Sequence, residues 1–322
     1  MSEKNLILEK LNSRAAKRGF FVPPEEIVFT IQDKPIGALG NFVCFQGLPK
    51  QGKSLYITSA IASAFTPFGL FDMRLKLPED RSRICYIDTE SSEYDFYRVM
   101  HRISHQANIK GWPDRLDAFL MREDSPSDII NMITAYLEQT PTCSCLVIDG
   151  VLDLLVDFNS IEQSFYVVQF LKQITARHKI LVMLVLHLSK KEGNSLGHIG
   201  SFIDRKAQSV LKVQKNKNSG TIDLEATFLR STGDIQPISV FWAGSFWMQA
   251  NAGASIEPEL PNAAREKNFI QTSFSEKRTY KETINLIIFF TERSETTAKK
   301  VLKKWIDAGR LVKDDNGLYS AK

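Results

Sequence analysis

Short, almost continuously apolar runs alternate with segments of helical periodicity between residues 41 and 187. Such runs predict buried strands, and they lie at residues 42–46, 84–88, 145–149 and 180–187. Apolar residues recur at helical spacing in the neighbouring segments, at residues 54–64, 93–106, 127–137 and 160–178. Strands that alternate with helices are typical of a parallel sheet covered by helices on both faces. We therefore predict an α/β fold.

Changes in composition divide the chain into four parts. Residues 1–40 precede the alternating pattern as an N-terminal segment, and residues 41–248 form the core. Residues 249–268 are small, polar and proline-containing without periodicity, which is typical of a linker. Residues 269–322 have their own apolar pattern, so we expect a second, small domain there. Within the core, hairpin-linked edge strands are predicted at residues 209–214, 221–229 and 238–242.

Composition and charge narrow the class of protein only slightly. Of the 322 residues, 43% are hydrophobic and 24% are charged, as in ordinary globular proteins. The net charge of +4 permits a nucleic-acid partner without requiring one. No segment approaches the ~20 apolar residues that span a bilayer, so we expect a cytoplasmic protein without a membrane partner. The cysteines lie in apolar runs that suggest neither disulfides nor zinc, namely Cys44, Cys85, Cys143 and Cys145.

Residues 47–54 match the phosphate-binding pattern G-x-x-x-x-G-K-[ST], between a predicted strand and a predicted helix. Glycines let backbone N–H groups surround phosphates, and the following helix directs its positive end to the same anions. The lysine contacts the β- and γ-phosphates, and the final hydroxyl ligates Mg²⁺. We therefore predict ATP and Mg²⁺ as cofactors. The predicted nucleotide-binding residues are Gly47, Pro49, Lys50, Gln51, Gly52, Lys53 and Ser54.

A phosphate-binding loop needs a second acidic group to hold the metal. The apolar run at residues 145–149 ends in Asp149, so we predict that Asp149 and Ser54 form the metal site. Asp153 and Asp157 follow closely, but they lie past the strand end and are interpreted as solvated loop carboxylates.

Hydrolysis also needs a group that orients or deprotonates the attacking water. Asp88 and Glu90 close the second predicted strand, whose carboxyl end faces the ligand crevice of an open α/β sheet. We predict Glu90 in this role. The alternative is that Glu90 only caps the helix predicted from residue 93.

The C-terminal residues predict two helices, at residues 279–292 and 294–308, followed by a hairpin whose turn contains Asn316 and Gly317. Helix, helix and hairpin in this order resemble a winged helix. The second helix carries an apolar stripe, and the side away from it is basic. This face suits DNA phosphates, although many winged helices bind proteins and many lysine-rich faces are only solvated. Its lysines are Lys299, Lys300, Lys303 and Lys304.

Several later motifs accompany the phosphate-binding loop. These are Tyr86-Ile-Asp-Thr-Glu90, Val147-Ile-Asp149-Gly, Leu186-His187, Gly197-His198 and Phe228-Leu-Arg230. Together with the loop, these motifs make residues 31–242 resemble the RecA-like core of RepA-type hexameric helicases and related ATPases of mobile elements, especially those of the Bacteroides group. The chain departs from the family pattern at Leu196, where relatives carry arginine, and at Gln208, where they carry an acid.

The resemblance implies roles for individual residues. It makes Glu90 the catalytic glutamate and Asp149 the metal-site aspartate, and it suggests that His187 senses the γ-phosphate. The family assembles rings in which basic residues of one subunit complete the neighbour's site. Arg230 suits that role, with Lys215 or Lys217 as helpers. Without the resemblance, these basic residues are equally interpretable as solvated charges.

Two functions fit this sequence. The first is an ATP-hydrolysing motor on DNA, a RepA-type helicase or translocase that serves replication or mobilisation of a mobile element as a hexameric ring. The alternative is an ATPase switch or loader that recruits partner proteins without unwinding DNA. The loop at residues 189–206 gives modest support to strand contact, because it contains Lys190 and Lys191.

Overall fold

A computed structural model describes residues 3–16, 19, 21–189, 197–243, 247–250, 269–270, 273–274, 277–291 and 295–321. Lys190, Lys191, Leu196 and residues 251–268 of the predicted linker lie outside these ranges. The helices are α1 (Glu3–Asn12), α2 (Lys53–Ser63), α3 (Glu93–Gln106), α4 (Pro126–Gln139), α5 (Ile161–His178), α6 (Gly197–Lys206), α7 (Tyr280–Thr291) and α8 (Glu295–Asp307). The strands are β1 (Ile27–Ile31), β2 (Lys34–Ala38), β3 (Phe42–Gly47), β4 (Met73–Leu75), β5 (Arg83–Asp88), β6 (Leu116–Leu120), β7 (Cys143–Asp149), β8 (Leu181–His187), β9 (Ser209–Lys215), β10 (Ile222–Leu229), β11 (Ile238–Trp242), β12 (Trp247–Gln249), β13 (Leu311–Lys313) and β14 (Tyr319–Ala321).

Over the described ranges, one large sheet has the strand order β12-β11-β10-β9-β3-β8-β7-β5-β6. The strands from β9 to β6 in this order are parallel to their neighbours, whereas β10, β11 and β12 are antiparallel. The predicted α/β fold with a mainly parallel sheet is therefore confirmed. None of the strands β9, β10 and β11 is an edge strand as predicted, because each pairs with a strand on both sides and β12 is the outermost described strand.

Helices cover both faces of this sheet because its central strands are apolar on both sides. Along β3, Val43 and Phe45 pack into the cluster that includes the apolar residues of α2 and α3. Phe42 and Cys44 alternate with them and pack into the opposite cluster, which includes α4, α5 and α6. The alternation thus places the loop after β3 between two packed layers.

Serine side chains fix where three of the helices begin. The side chains of Ser92, Ser125 and Ser160 each accept a hydrogen bond from a backbone N–H of the following helix, α3, α4 and α5. Such caps satisfy donors that the first turn leaves unpaired and typically contribute about 1 kcal/mol. The first of these caps ends the short segment that carries Glu90, so it also fixes the length of that segment.

Part of the predicted N-terminal segment packs on the core. The strand β1 pairs with β2 and with β4, which follows α2 in the chain. Phe29 and Ile31 of β1 are fully buried in the same apolar cluster as β3 and α2. By contrast, the large aliphatic residues of α1 are exposed, namely Leu6, Ile7, Leu8 and Leu11.

The C-terminal residues contain α7, α8 and a two-stranded antiparallel sheet of β13 and β14. Trp305, Leu302 and Ala298 of α8 are buried with Ile287 of α7 and Tyr319 of β14. These residues form an apolar cluster separate from the two clusters of the large sheet. Across the described ranges, every helix is too short or too polar to cross a bilayer.

Candidate nucleotide-binding site

The loop at residues 47–52 joins the central strand β3 to α2. Both glycines of its pattern are required by their surroundings. A Cβ atom on Gly47 would lie 2.3 Å from the carbonyl oxygen of Val213 in β9. Gly52 has a φ of 93°, and a Cβ atom there would lie 2.7 Å from the side chain of Ile222. The loop is therefore held against β9 and β10 at positions that tolerate no side chain.

The ammonium group of Lys53 lies at the centre of the site, and the residue is only 5% exposed. Its Nζ atom donates hydrogen bonds of 2.9 Å to the carbonyl oxygens of Gly47 and Leu48. The same atom lies 3.0 Å from Nδ1 of His187. Burial lowers the pKa of Lys53 to about 8, although the charges of nearby carboxylates oppose this shift. The loop thus encloses a cation that can exchange carbonyl partners for an anion.

Three of the predicted residues lie around this lysine, namely His187, Asp149 and Glu90. They do so because they end parallel strands or closely follow them. Register pairs Gly47 of β3 with His187 of β8, and Asp88 of β5 with Asp149 of β7. The carboxyl ends of these strands therefore form one edge of the sheet. Glu90 follows β5 by two residues and reaches the same edge.

A hydrogen-bonded chain runs from Lys53 through His187 to Glu90. The Nε2 atom of His187 lies 3.1 Å from both carboxylate oxygens of Glu90. Because a lysine ammonium group can only donate, Nδ1 of His187 accepts from Lys53 and the ring proton belongs on Nε2. The Nε2–H group donates a hydrogen bond to Glu90, and this hydrogen bond lowers the pKa of the Glu90 carboxyl group. Glu90 is therefore ionised at neutral pH.

Asp149 is only 9% exposed, and its Oδ2 atom accepts a 2.8 Å hydrogen bond from the hydroxyl of Tyr86. Burial raises the pKa of Asp149 to about 6, and the charge of Asp88 acts in the same direction. Tyr86 belongs to a motif of the sequence but has no predicted role, because the apolar run of β5 indicates only a buried aromatic residue at this position. Its hydroxyl fixes the orientation of the carboxylate that is predicted to hold the metal.

Asp88 has a structural contact that Glu90 lacks. The Oδ1 atom of Asp88 accepts hydrogen bonds of 3.0 Å and 2.8 Å from the backbone N–H groups of Glu90 and Ser91. Asp88 therefore holds the turn after β5, and the carboxylate of Glu90 extends beyond that turn. Asp153 is also bound, since it accepts a 2.7 Å hydrogen bond from the Thr89 hydroxyl. Burial raises the pKa of Asp153.

The remaining predicted loop residues lie around the same edge. Pro49 and Lys50 are exposed at the tip of the loop, and Ser54 is partly buried in the first turn of α2. The side chain of Gln51 accepts a 2.6 Å hydrogen bond from the backbone N–H of Lys215, the last residue of β9. Lys215 thus lies at the loop edge of the sheet.

Arg230 lies elsewhere. It follows β10, whose last residue pairs with Ser209 at the start of β9, and Ser209 in turn pairs with Val43 near the start of β3. Arg230 is therefore at the amino ends of the parallel strands, opposite the loop edge. One of its guanidinium nitrogens donates a 3.2 Å hydrogen bond to the carbonyl oxygen of Arg205. Arg230 does not contribute to the site of its own chain, and a role in a neighbouring chain stays a prediction.

Gln208, one of the two departures from the family pattern, is a buried structural residue near that opposite edge. Its side-chain oxygen accepts a 2.8 Å hydrogen bond from the backbone N–H of Ala38. Its side-chain nitrogen donates hydrogen bonds of 3.1 Å to Glu25 and 3.0 Å to Ser231. An amide suits this position because it must both donate and accept.

The predicted DNA-contacting lysines of the C-terminal residues lie on the exposed side of α8. Buried Ala298, Leu302 and Trp305 occupy its other side. Lys299 is 2.7 Å from Glu295, one turn earlier in the helix. A pair of this kind is exposed and contributes little to stability.

The loop edge of the sheet combines an enclosed cation, an ionised carboxylate and a second, buried carboxylate with a raised pKa. This set can bind a polyphosphate, hold a hard metal ion and orient a water molecule. Neither the protein-family models nor the curated proteins compared with this chain give a match.

Proposed function

We propose that this chain is a RecA-like P-loop ATPase. The observation that carries the proposal is the position of Lys53, enclosed by the loop after β3 and surrounded by Glu90, Asp149 and His187 at one edge of the sheet. Phosphate-binding loops between a central strand and a helix bind nucleotides through this same combination of glycines, lysine and hydroxyl.

The residues at this edge fit Mg²⁺ and ATP. Ser54 and Asp149 supply the hydroxyl and the carboxylate that would hold the metal, and few protein ligands suffice for Mg²⁺ in nucleotide sites. Mg²⁺ neutralises charge on the phosphates when it is bound. Lys53 would exchange the carbonyl oxygens of Gly47 and Leu48 for phosphate oxygens. Tyr86 would keep the Asp149 carboxylate in one orientation during this exchange.

Glu90 suits the role of the residue that orients and deprotonates the attacking water. Its carboxyl group is ionised and accepts a hydrogen bond from Nε2 of His187. His187 also contacts Lys53, so a phosphate that draws Lys53 away changes the partners of His187. In this way His187 would report the γ-phosphate to Glu90.

We further propose that the ATPase acts on DNA as a RepA-type helicase or translocase of a mobile element, assembled as a hexameric ring. The exposed lysines of α8 support a DNA contact. The order of two helices and a two-stranded sheet supports a winged helix at the C-terminus. In the ring, Arg230 would complete the site of the neighbouring subunit.

The alternative function is an ATPase switch or loader that recruits proteins without unwinding DNA. Winged helices and exposed lysines are compatible with protein partners, so the same residues allow it. ATP hydrolysis with and without single-stranded DNA separates the two, combined with a strand-displacement assay. A motor is stimulated by DNA and displaces a strand. Hydrolysis that DNA does not change, without displacement, would favour the switch.

A further inference from the structure

A basic cleft lies at the amino ends of the parallel strands, opposite the loop edge of the sheet. It has a volume of about 430 Å³. The start of β3, the second half of α5, the end of α6 and the residue after β10 form its walls. Its cationic residues are Lys172, Arg205, Lys206 and Arg230.

The cations converge on this cleft from three separate elements. Arg205 and Lys206 are in the last turn of α6, where positive charge is favoured by the helix dipole. Lys172 is in α5, and Arg230 is held beside the end of α6 by its hydrogen bond to the carbonyl oxygen of Arg205. The helix dipole explains why Arg205 and Lys206 are basic, but it does not explain the positive charges of Lys172 and Arg230.

Carboxylates do not neutralise the cleft. Among its described lining residues none is acidic, and none of the four cations forms an ion pair with another described residue. Within the part of the chain that the structure describes, Lys172 donates only to the amide oxygen of Gln169. The carboxylate of Glu25 lies beside the lining residue Asn41 and keeps its charge, but its described side-chain partners are the amides of Asn41 and Gln208 and not one of the four cations. Like charges gathered in this way repel one another, and a bound polyanion would relieve the repulsion.

The chemistry of the lining favours a nucleic acid over a protein. Protein interfaces depend on aromatic and other large apolar side chains at their centre. The aromatic residue among the described lining residues, Phe42, is only 3% exposed and belongs to the core. Because the cations come from several elements around an open cleft, they suit successive phosphates better than one small anion.

We propose that this cleft binds the phosphodiester backbone of a nucleic-acid strand without reading its base sequence. The lining offers no exposed ring for base stacking, so contact is confined to phosphates and binding is salt-dependent. The contact rests on the DNA-acting function proposed above, is an alternative to the role of Arg230 in a neighbouring subunit, and stands whether or not the chain hydrolyses ATP. Its experiment therefore uses the full chain without nucleotide.

Lysine acylation followed by mass spectrometry tests the cleft directly. A saturating oligothymidylate of about 20 nucleotides should slow the modification of Lys172 and Lys206 several-fold. Exposed Lys110, far from the cleft in sequence and outside its lining, should react at an unchanged rate. Unchanged modification of Lys172 and Lys206 at saturation overturns the proposal. Protection by inorganic phosphate or polyglutamate but not by the oligonucleotide also overturns it.

A variant provides a second measurement. Lys172→Ala, Arg205→Ala and Lys206→Ala combined should reduce the slope of log affinity against log salt by about 2, since each contact with a single strand contributes about 0.7. The matched control replaces Lys4, Lys10 and Lys110 by alanine and should keep the slope. An unchanged slope in the cleft variant contradicts the proposal. Lys53→Ala should bind the strand normally without nucleotide, which separates this test from that of the ATPase.

Discussion

The Nζ atom of Lys53 lies 3.0 Å from Nδ1 of His187, whose other ring nitrogen lies 3.1 Å from both carboxylate oxygens of Glu90. His187 therefore bridges Lys53, which the loop encloses, and Glu90, whose carboxylate suits base catalysis. A phosphate bound to Lys53 would remove one partner of His187. The proposed function therefore links binding at the loop to the position of Glu90.

Glu90→Gln is expected to bind ATP and to lose turnover by about 10²-fold or more, because the amide cannot accept a proton from water. The measurement is single-turnover hydrolysis beside a fluorescence binding assay. Glu93→Gln is the matched control, since Glu93 is exposed and begins α3 nearby. Normal turnover in Glu90→Gln would show that another residue positions the water.

Asp149→Asn is expected to abolish hydrolysis and to stabilise the nucleotide-free protein at pH 8. The pKa of Asp149 is raised from 3.8 to about 6, so the folded state bears the cost of a buried charge above pH 6. Removing that charge should raise the free energy of unfolding at pH 8 by up to about 3 kcal/mol. The gain should shrink as the pH falls through 6 towards 4, where Asp149 is protonated in the folded state.

Urea unfolding of Asp149→Asn and the wild type at several pH values measures this difference. Asp114→Asn serves as the control, because Asp114 is exposed and precedes β6, at the amino ends of the parallel strands and opposite the loop edge. Equal effects of Asp149→Asn at pH 8 and pH 4 would exclude a buried charge at Asp149.

Arg230→Ala is expected to fold, to bind ATP and to hydrolyse it at least about tenfold more slowly, if Arg230 completes a neighbour's site. Mixing it with Lys53→Ala should restore activity at about a quarter of the interfaces, where an intact loop meets an intact Arg230. Because Arg230 is at the far edge of its own sheet, it does not reach the loop edge of its own chain. If mixing restored no activity although subunits exchanged, Lys215 or Lys217 would be the remaining candidates for the basic residue that completes a neighbour's site.

Replacement of Lys299, Lys300, Lys303 and Lys304 by alanine is expected to weaken duplex binding and to reduce its salt dependence. Each lost phosphate contact should reduce the slope by about 0.9. The helix should remain folded, because its buried residues are on the other side. Binding at two salt concentrations and circular dichroism check both expectations. Unchanged DNA binding would make a protein the better partner for this face.

Local signals predicted much of the fold. The helix predicted at residues 93–106 has those bounds in the structure, because Ser92 caps it and its apolar residues recur at helical spacing. The buried strands β3, β5, β7 and β8 were predicted within a few residues, since they are apolar on both faces. The carboxyl ends of parallel strands lie at the same edge of a sheet, so the sequence also predicted that Glu90, Asp149 and His187 lie close together.

Long-range packing decided what the sequence did not predict. The strand β6 was missed because its pattern is mixed and only Leu116 is buried. The resemblance places a loop at residues 189–206, but residues 197–206 of it form α6, which packs against α5. Tyr86 gains its partner Asp149 only when β5 and β7 pair. The place of Arg230 follows from β10 running antiparallel to β9, which no local pattern reveals.

Hydrolysis of Mg·ATP by the wild type and by Lys53→Ala tests the central claim most directly. We expect the wild type to hydrolyse ATP and the variant to bind it weakly and to release no phosphate, because the enclosed ammonium group is gone. Lys110→Ala, which removes an exposed lysine, should match the wild type. Hydrolysis at an equal rate by Lys53→Ala, or tight ATP binding without Lys53, would contradict a phosphate-binding role for this loop.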